Sequence, residues 1–313
     1  LLLSYFNGET LCSKIAADTV DQTLCVENYS SEVVKTAFGN NLLPTWDDFQ
    51  DFLEERCIPR DRAGVREDLR PNGGGSAMAE SRGDNMTIKL VTDQKVAETS
   101  SKGNQEKWLD DGRWYKLDQF GYESLAETFT SLLLARSNLE TDTPFRFTRY
   151  KMERLKVHGR ERIGCSSENF LQPGQSIVTL AHLFKQYLGT SLKTTLERLP
   201  SDKKRIAYLA EATTDITGLK AFPQYLTILF EIDSLILNDD RHLNNIAVIE
   251  QKGTFDYCPI FDQGAGLLSN TQISRMDIAP RALASALRAR PFNTTFNRQV
   301  KAIQGLYGQQ LHI

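Results

Sequence analysis

The segment Phe222-Pro-Gln-Tyr-Leu-Thr-Ile-Leu-Phe-Glu-Ile-Asp-Ser-Leu-Ile-Leu237 constrains this chain most. It is apolar nearly all round, which predicts a helix buried on every side rather than one lying on a surface. The rest of the chain must therefore enclose it. Its longest apolar run, Tyr225–Phe230, falls well short of the roughly 20 residues a bilayer demands. With 313 residues and 40% hydrophobic content, enough core is available for two compact units or one large bilobal one, and a disordered or fibrous chain is excluded. Leu1-Leu2-Leu3 has neither the basic flank nor the apolar length of a signal peptide. Five cysteines, with no Cys-x-x-Cys pair and no Cys/His cluster at zinc spacing, predict reduced thiols and a cytoplasmic setting, although Cys12 and Cys25 fall within one small unit.

A net charge of -3 argues against direct nucleic-acid binding, which normally shows as excess Lys and Arg. The charge is uneven. Residues 1–71 hold 7 Lys and Arg against 13 Asp and Glu, whereas the remainder holds 30 against 27. Residues 1–43 read as short strands and turns, and Thr45 as the N-cap of a helix with Trp46, Phe49, Phe52 and Leu53 at helical spacing. The stretch 72–85 has three consecutive glycines and almost nothing to bury, the pattern of a flexible tether. It reads either as a natural linker or as an introduced joint, since Gly-Gly-Gly-Ser followed by Ala-Met-Ala resembles a cloning scar. Residues 1–71 and 86–313 are expected to form separate units. In the second, strands Met86–Val91 and Gly112–Leu117 precede a helix over 121–138 with Leu125, Phe129, Leu132 and Leu133 on one face. Helices follow at Thr179–Leu188, Ser201–Ile216 and 222–237, then a hairpin turning at Lys252-Gly253, then helices at about 279–290 and 294–307. Strands early and helices late predict an α+β fold, a small β-rich lobe on a larger helical one.

Chemistry concentrates just after the buried helix. In Asn238-Asp-Asp-Arg-His-Leu-Asn-Asn245, Asp240 and Asn245 stand five apart on a loop leading into a strand. At the end of the following hairpin stands Asp262, in Asp-x-Gly. Two carboxylates and an amide delivered to one cleft mouth are what phosphoryl transfer needs: a base for the attacking hydroxyl, and hard oxygen ligands for Mg²⁺. Asp240 is the expected base, and Asn245 and Asp262 the expected metal ligands. Upstream, Lys116 in a Trp-Tyr-Lys strand suits the α- and β-phosphates of a nucleotide. Glu123 and Glu127, one turn apart on the next helix, are both candidates to pair with it. Gly103 would let backbone amides approach a phosphate.

Taken together, Ser100-Ser-Lys-Gly-Asn-Gln-Glu-Lys107, the Trp-Tyr-Lys116 strand, Asp240-Arg-His-Leu-Asn-Asn245 and Ile-Phe-Asp262 resemble the HipA-like serine/threonine kinases, nearest the shorter, CtkA-like members. The resemblance covers most of residues 86–310. It implies a bilobal protein-kinase-like fold, with an N-lobe at about 86–175 and a C-lobe at about 176–313, preceded by a small α+β unit at 1–71. That unit is either loosely like the family's amino-terminal subdomain or a separately encoded partner. It implies ATP and Mg²⁺ as cofactors and phosphorylation of a serine or threonine on a protein substrate. By position, Lys116, Gly103, Gln105, Glu123 and Glu127 would serve ATP, Asp240 catalysis, and Asn245 and Asp262 the metal. Autophosphorylation would fall on Ser100 or its neighbour Ser101, and an antitoxin would be a partner. His242 in the same block reads as a buried structural imidazole. Two other readings compete: a small-molecule phosphotransferase, which usually carries a His where Asn238 stands here, and a non-catalytic pseudokinase or regulatory binding module.

Overall fold

The computed structural model describes residues 2–7, 10–54, 79–80, 86–90, 107–157, 160–189 and 192–313. The chain divides into two compact units. One comprises Leu1–Trp108 with Ser176–Val178 and His182–Ser191, and the other Leu109–Gln175, Thr179–Ala181 and Leu192–Ile313.

In the first unit, strands β1 (Leu2–Asn7), β2 (Thr10–Asp18) and β3 (Thr23–Asn28) form an antiparallel meander. On its other side β1 pairs with β5 (Met86–Leu90), which pairs with β4 (Ala79–Glu80), giving the order β3-β2-β1-β5-β4. Met86–Leu90, expected to open the second unit, thus lies beside β1, a pairing across some 80 residues of chain that no local pattern signals. The expected tether over 72–85 lies outside the described residues except for β4.

The helix Trp46–Glu54 starts where Thr45 predicts. The Asp48 amide donates to Thr45 Oγ1 (3.2 Å) and the Thr45 amide to Asp48 Oδ2 (2.8 Å), a reciprocal cap. Its buried face sets Phe49 and Phe52 against Tyr5, Ile15 and Phe38. Tyr5 and Phe52 meet edge to face with centroids 5.5 Å apart.

A four-stranded sheet, all but the first two residues of which belong to the second unit, has the order β6-β7-β9-β8 and is built from β6 (Lys107–Asp110), β7 (Arg113–Leu117), β8 (Lys151–Val157) and β9 (Arg160–Glu168). Gly164 sits opposite Leu117, where a Cβ would lie 2.3 Å from the Lys116 carbonyl oxygen. The helix Glu123–Leu134 forms as expected but faces the other way. Leu125, Phe129 and Leu132 are about half exposed, while Glu123, Ser124, Glu127 and Thr130 are buried. The interior side of this helix is polar because Glu127 has a partner there.

A short strand β10 (Ser176–Thr179) and the helix Leu180–Leu188 precede the helices Asp202–Thr217 and Phe222–Ile236. Ser201 caps the first through the Lys204 amide, and Gly218, at φ 73°, ends it. Phe222–Ile236 is buried along most of its length, as its composition demands. β11 (Ala247–Gln251) and β12 (Thr254–Tyr257) form the expected hairpin. Lys252 and Gly253 both have positive φ, 51° and 81°, which matches the strand twist of a two-residue turn. The last helices are Pro280–Ala286, shorter than expected, and Phe296–Tyr307. Among the described residues no helix is long and apolar enough to cross a membrane, and Cys12, Cys25, Cys165 and Cys258 form no disulfide.

Candidate active site

The second unit builds its site on two short segments held together by one buried cation. The helix Phe222–Ile236 ends at Leu237, in the left-handed region at φ 57°. The chain then turns sharply, and Asn238 is fixed by its amide on the Asp233 carbonyl oxygen (2.9 Å) and its Nδ2 on Asp233 Oδ1 (2.8 Å). Asn238 Oδ1 in turn accepts from the Asp240 amide (3.2 Å). Arg241 points inward and is fully buried. Its guanidinium donates to both oxygens of Asp233 at 3.0–3.2 Å, and its Nη1 to the carbonyls of Asn245 and Phe261, both at 3.0 Å. Burial opposes that charge, but Asp233 outweighs it and holds the guanidinium above its ordinary pKa. One side chain therefore ties the Asp240–Asn245 loop to the residue just before Asp262. Sequence reasoning missed it, and its partner Asp233 was hidden inside a helix read as apolar.

Asp240 itself faces outward, with 60% of its side chain exposed. Asn245 Nδ2 donates to the Asp240 carbonyl oxygen (2.8 Å) and lies 3.4 Å from Asp240 Oδ2, so the amide oxygen is the end of Asn245 left to face away. Desolvation by the surrounding loop, and then the negative charge of Asp262, push the Asp240 carboxyl up to about 6. His242 is not the buried imidazole expected. It is 46% exposed, with Nε2 3.7 Å from Asp240 Oδ1, because the inward position of this tight turn is taken by Arg241.

Lys116, in contrast, is 1% exposed. Its ammonium meets Glu127 Oε1 at 2.5 Å and Asp262 Oδ1 at 2.7 Å, and lies 5.0 Å from the ring centre of Tyr150. The other oxygen of Glu127 accepts from the Gln263 amide at 2.9 Å. Glu123 does not take part in this pairing. Its carboxylate accepts from the amides of Phe120 (2.7 Å) and Gly121 (3.2 Å) and so fastens the start of its own helix. Asp262 is held at φ 65°, a left-handed conformation that costs a non-glycine residue roughly 1–3 kcal/mol and is tolerated best by Asp and Asn.

Beyond Asp262 the chain is fastened to the amino end of the Glu127 helix. Tyr122 donates its amide to the Ser269 carbonyl oxygen (3.2 Å), and Thr271 its amide to that of Phe120 (3.0 Å). Tyr122 Oη reaches the carbonyls of Leu267 and Leu268, both at 3.2 Å. A Cβ on Gly121 would lie 1.9 Å from the Ser269 carbonyl oxygen, so this seam admits only glycine.

Of the residues expected from sequence, the structure brings together Lys116, Glu127 and Asp262, and sets Asp240 beside Asn245. Ser100, Ser101, Gly103 and Gln105 lie outside the described residues. The Asn245 amide oxygen and the Asp262 carboxylate are hard donors of the kind Mg²⁺ takes, since it keeps several waters and needs few protein ligands.

No family model and no curated protein matches the chain. Among solved structures it is similar to one from the Shewanella oneidensis MR-1 toxin–antitoxin system HipA, HipB and its operator DNA complex. That similarity has a TM-score of 0.54 at 14% identity and covers 98% of this chain and 85% of that one. A weaker similarity, at TM-score 0.40 and 16% identity, is to the Helicobacter pylori proinflammatory kinase CtkA. It covers 61% of this chain and 59% of that chain, less than two thirds of its length. The fold is HipA-like, as the resemblance in the sequence implies.

Proposed function

We propose that the chain is an ATP- and Mg²⁺-dependent serine/threonine protein kinase of the HipA-like kind. The observation that carries this reading is the buried ammonium of Lys116 bridged between Glu127 and Asp262, with Arg241 tying the Asp240–Asn245 loop to Phe261, the residue before Asp262. A lysine fixed by a helix carboxylate, next to a metal-type aspartate, is the arrangement that phosphoryl transfer uses to hold a triphosphate. In this reading Lys116 contacts the phosphates, Glu127 keeps it in place, and Asn245 and Asp262 hold the metal. Bound MgATP would supply the phosphoryl group and neutralise its charge. Asp240 accepts the proton of the acceptor hydroxyl as that oxygen bonds to the γ-phosphorus and the bond to the β,γ-bridging oxygen breaks, releasing ADP.

The bilobal partition belongs to the same reading: a β-rich lobe carries Lys116, and a helical lobe carries Asp240 and Asp262. So do a phosphate loop with Gly103 and Gln105, autophosphorylation at Ser100 or Ser101, an antitoxin partner and a cytoplasmic location. These rest on the resemblance, and the antitoxin also on the toxin–antitoxin complex in which the Shewanella neighbour was solved.

The test is transfer of labelled phosphate from MgATP to protein, by the parent chain and by Asp240→Asn and Asp262→Asn. Losing the base is expected to slow transfer about 10²–10⁴-fold while circular dichroism stays unchanged. Transfer that survives both substitutions, or that never occurs in the parent, refutes the assignment.

A further inference from the structure

The outward face of the helix Glu123–Leu134 is apolar and uncovered. Leu125, Phe129 and Leu132 fall within an arc of about 60° on a helix of about 3.6 residues per turn, and each is about half exposed. Single exposed apolar side chains are ordinary, but three large ones aligned at i, i+4 and i+7 are the anchors that helix-to-helix docking uses. The stripe runs on to Arg136, one turn beyond Leu132, whose Nη1 donates to the Leu132 carbonyl oxygen at 3.2 Å. Glu123 and Glu127 are buried, so no acidic residue of this helix shares the exposed face.

The sheet beside the helix extends the same chemistry. Lys116 stands opposite Cys165 and Cys165 opposite Met152, so the three share one sheet face. That face looks toward the helix, because Lys116 meets Glu127 there. Ser131 Oγ, on the helix, donates to the Tyr150 carbonyl oxygen and accepts from the Tyr150 amide, both at 3.3 Å, which holds the start of β8 alongside. Further along the same face Arg154 stands opposite Ile163, and Lys156 opposite Glu161. Met152 and Ile163 are each 41% exposed, and Arg154, Lys156 and Glu161 are exposed as well. The apolar surface is thus bordered by three cations, Arg136, Arg154 and Lys156, against the one carboxylate of Glu161.

The border decides what fits. A second copy of this chain, meeting the face with its own counterpart, would bring like charges together, because an isologous contact sets the same patch against itself. A basic partner is repelled for the same reason. We infer that the face formed by Leu125, Phe129 and Leu132, with Met152 and Ile163, docks an amphipathic helix of a partner protein whose apolar stripe is flanked by acidic residues. On the opposite side of the same helix Glu127 holds Lys116, so the docked partner lies about 10 Å, one helix thickness, from the site. Such docking needs no phosphate transfer and is independent of the kinase reading.

The experiment uses the full chain and three fluorescein-labelled synthetic peptides of about five helical turns. One has leucines at i, i+4 and i+7 with glutamates beside them. The second has lysines in place of the glutamates, and the third has the leucines of the first scattered off any single face. Fluorescence anisotropy at low salt should show the glutamate peptide binding about 10-fold more tightly than either control, with the margin over the lysine peptide shrinking as salt is added. Phe129→Glu should weaken that binding about 10-fold, and the pair Arg154→Glu with Lys156→Glu about 3-fold. Leu125→Gln, a milder change on the same face, takes the place of Phe129→Glu should circular dichroism show that variant to be misfolded. Equal binding of the glutamate and lysine peptides overturns the inference, as does binding that survives both Phe129→Glu and Leu125→Gln. A parent that sediments as a dimer dispersed by Phe129→Glu, or that binds phosphatidylserine vesicles and none of the peptides, gives the face to another occupant and overturns it too.

Discussion

The two units solve the problem of an interior in opposite ways. The first closes on Leu3, Tyr5, Ile15, Phe38, Phe49 and Phe52, with Leu24, Val26 and Trp46 packed at the margin. The second has an apolar core too, around the helix Phe222–Ile236, but sets buried ion pairs into it: Asp233 with Arg241, and Lys116 with Glu127. Apolar burial is favourable at roughly 25 cal/mol per Å² and asks little of geometry. An ion taken out of water costs several kcal/mol, offset only when every lone pair and proton finds a partner. Arg241 comes close to that condition: four of its five N–H groups donate, to one carboxylate and two carbonyls. The difference teaches that these two buried pairs serve position rather than stability: Arg241 with Asp233 fixes the loop bearing Asp240 and Asn245, and Lys116 with Glu127 holds Asp262.

The sharpest way to break this comparison is Arg241→Ala, which strands Asp233 in the interior. A loss of about 3–5 kcal/mol is expected in urea unfolding. Hydrogen exchange should quicken in peptides covering 222–262 and stay unchanged over 2–54. Equal quickening in both places would show that the two interiors are not independent in the way their chemistry suggests. A smaller effect is expected from Ile15→Val in the first unit, about 0.5–1.5 kcal/mol, because one methyl is lost and the apolar surroundings partly close over the gap. A cost above 3 kcal/mol would mean that this core is as unforgiving as the charged one.

The mildest probe is chemical. Burial, and then the nearby Glu127 carboxylate, push the Cys165 thiol up to about 12. At pH 8 about one in ten thousand such thiols is ionised, and only the thiolate reacts with iodoacetamide. Exposed Cys25 should be alkylated in minutes, and Cys165 only after unfolding. Rapid labelling of Cys165 in the folded chain would mean that the Lys116 site opens to water.

What the sequence made legible follows from the range of each signal. Asp240, Asn245 and Asp262 could be singled out as candidates because their residue types and separations are local, and Lys116 because a strand of aromatic neighbours frames it. The caps at Thr45 and Ser201, and the Lys252-Gly253 turn, are likewise set within a few residues. The pairing of Met86–Leu90 with β1 is long-range and has no such mark. The choice between Glu123 and Glu127 needed the amides of Phe120 and Gly121, which claim Glu123. The orientation of the Glu123–Leu134 helix misled for a physical reason. Its apolar stripe predicts an inward face, but the need to bring a carboxylate to Lys116 turned that stripe outward.

The seam at Gly121 carries a mechanical implication. The start of the helix bearing Glu127 and the chain after Asp262 are stitched together main chain to main chain, and the hydroxyls of Tyr122 and Thr271 add bonds across the same seam. Neither can swing away alone. Moving the helix away from Lys116 would drag Ser269 along, and displacing Ser269 would in turn pull on the helix. The centre around Lys116 thus behaves as a single latch, and one added methyl group at residue 121 would be enough to jam it.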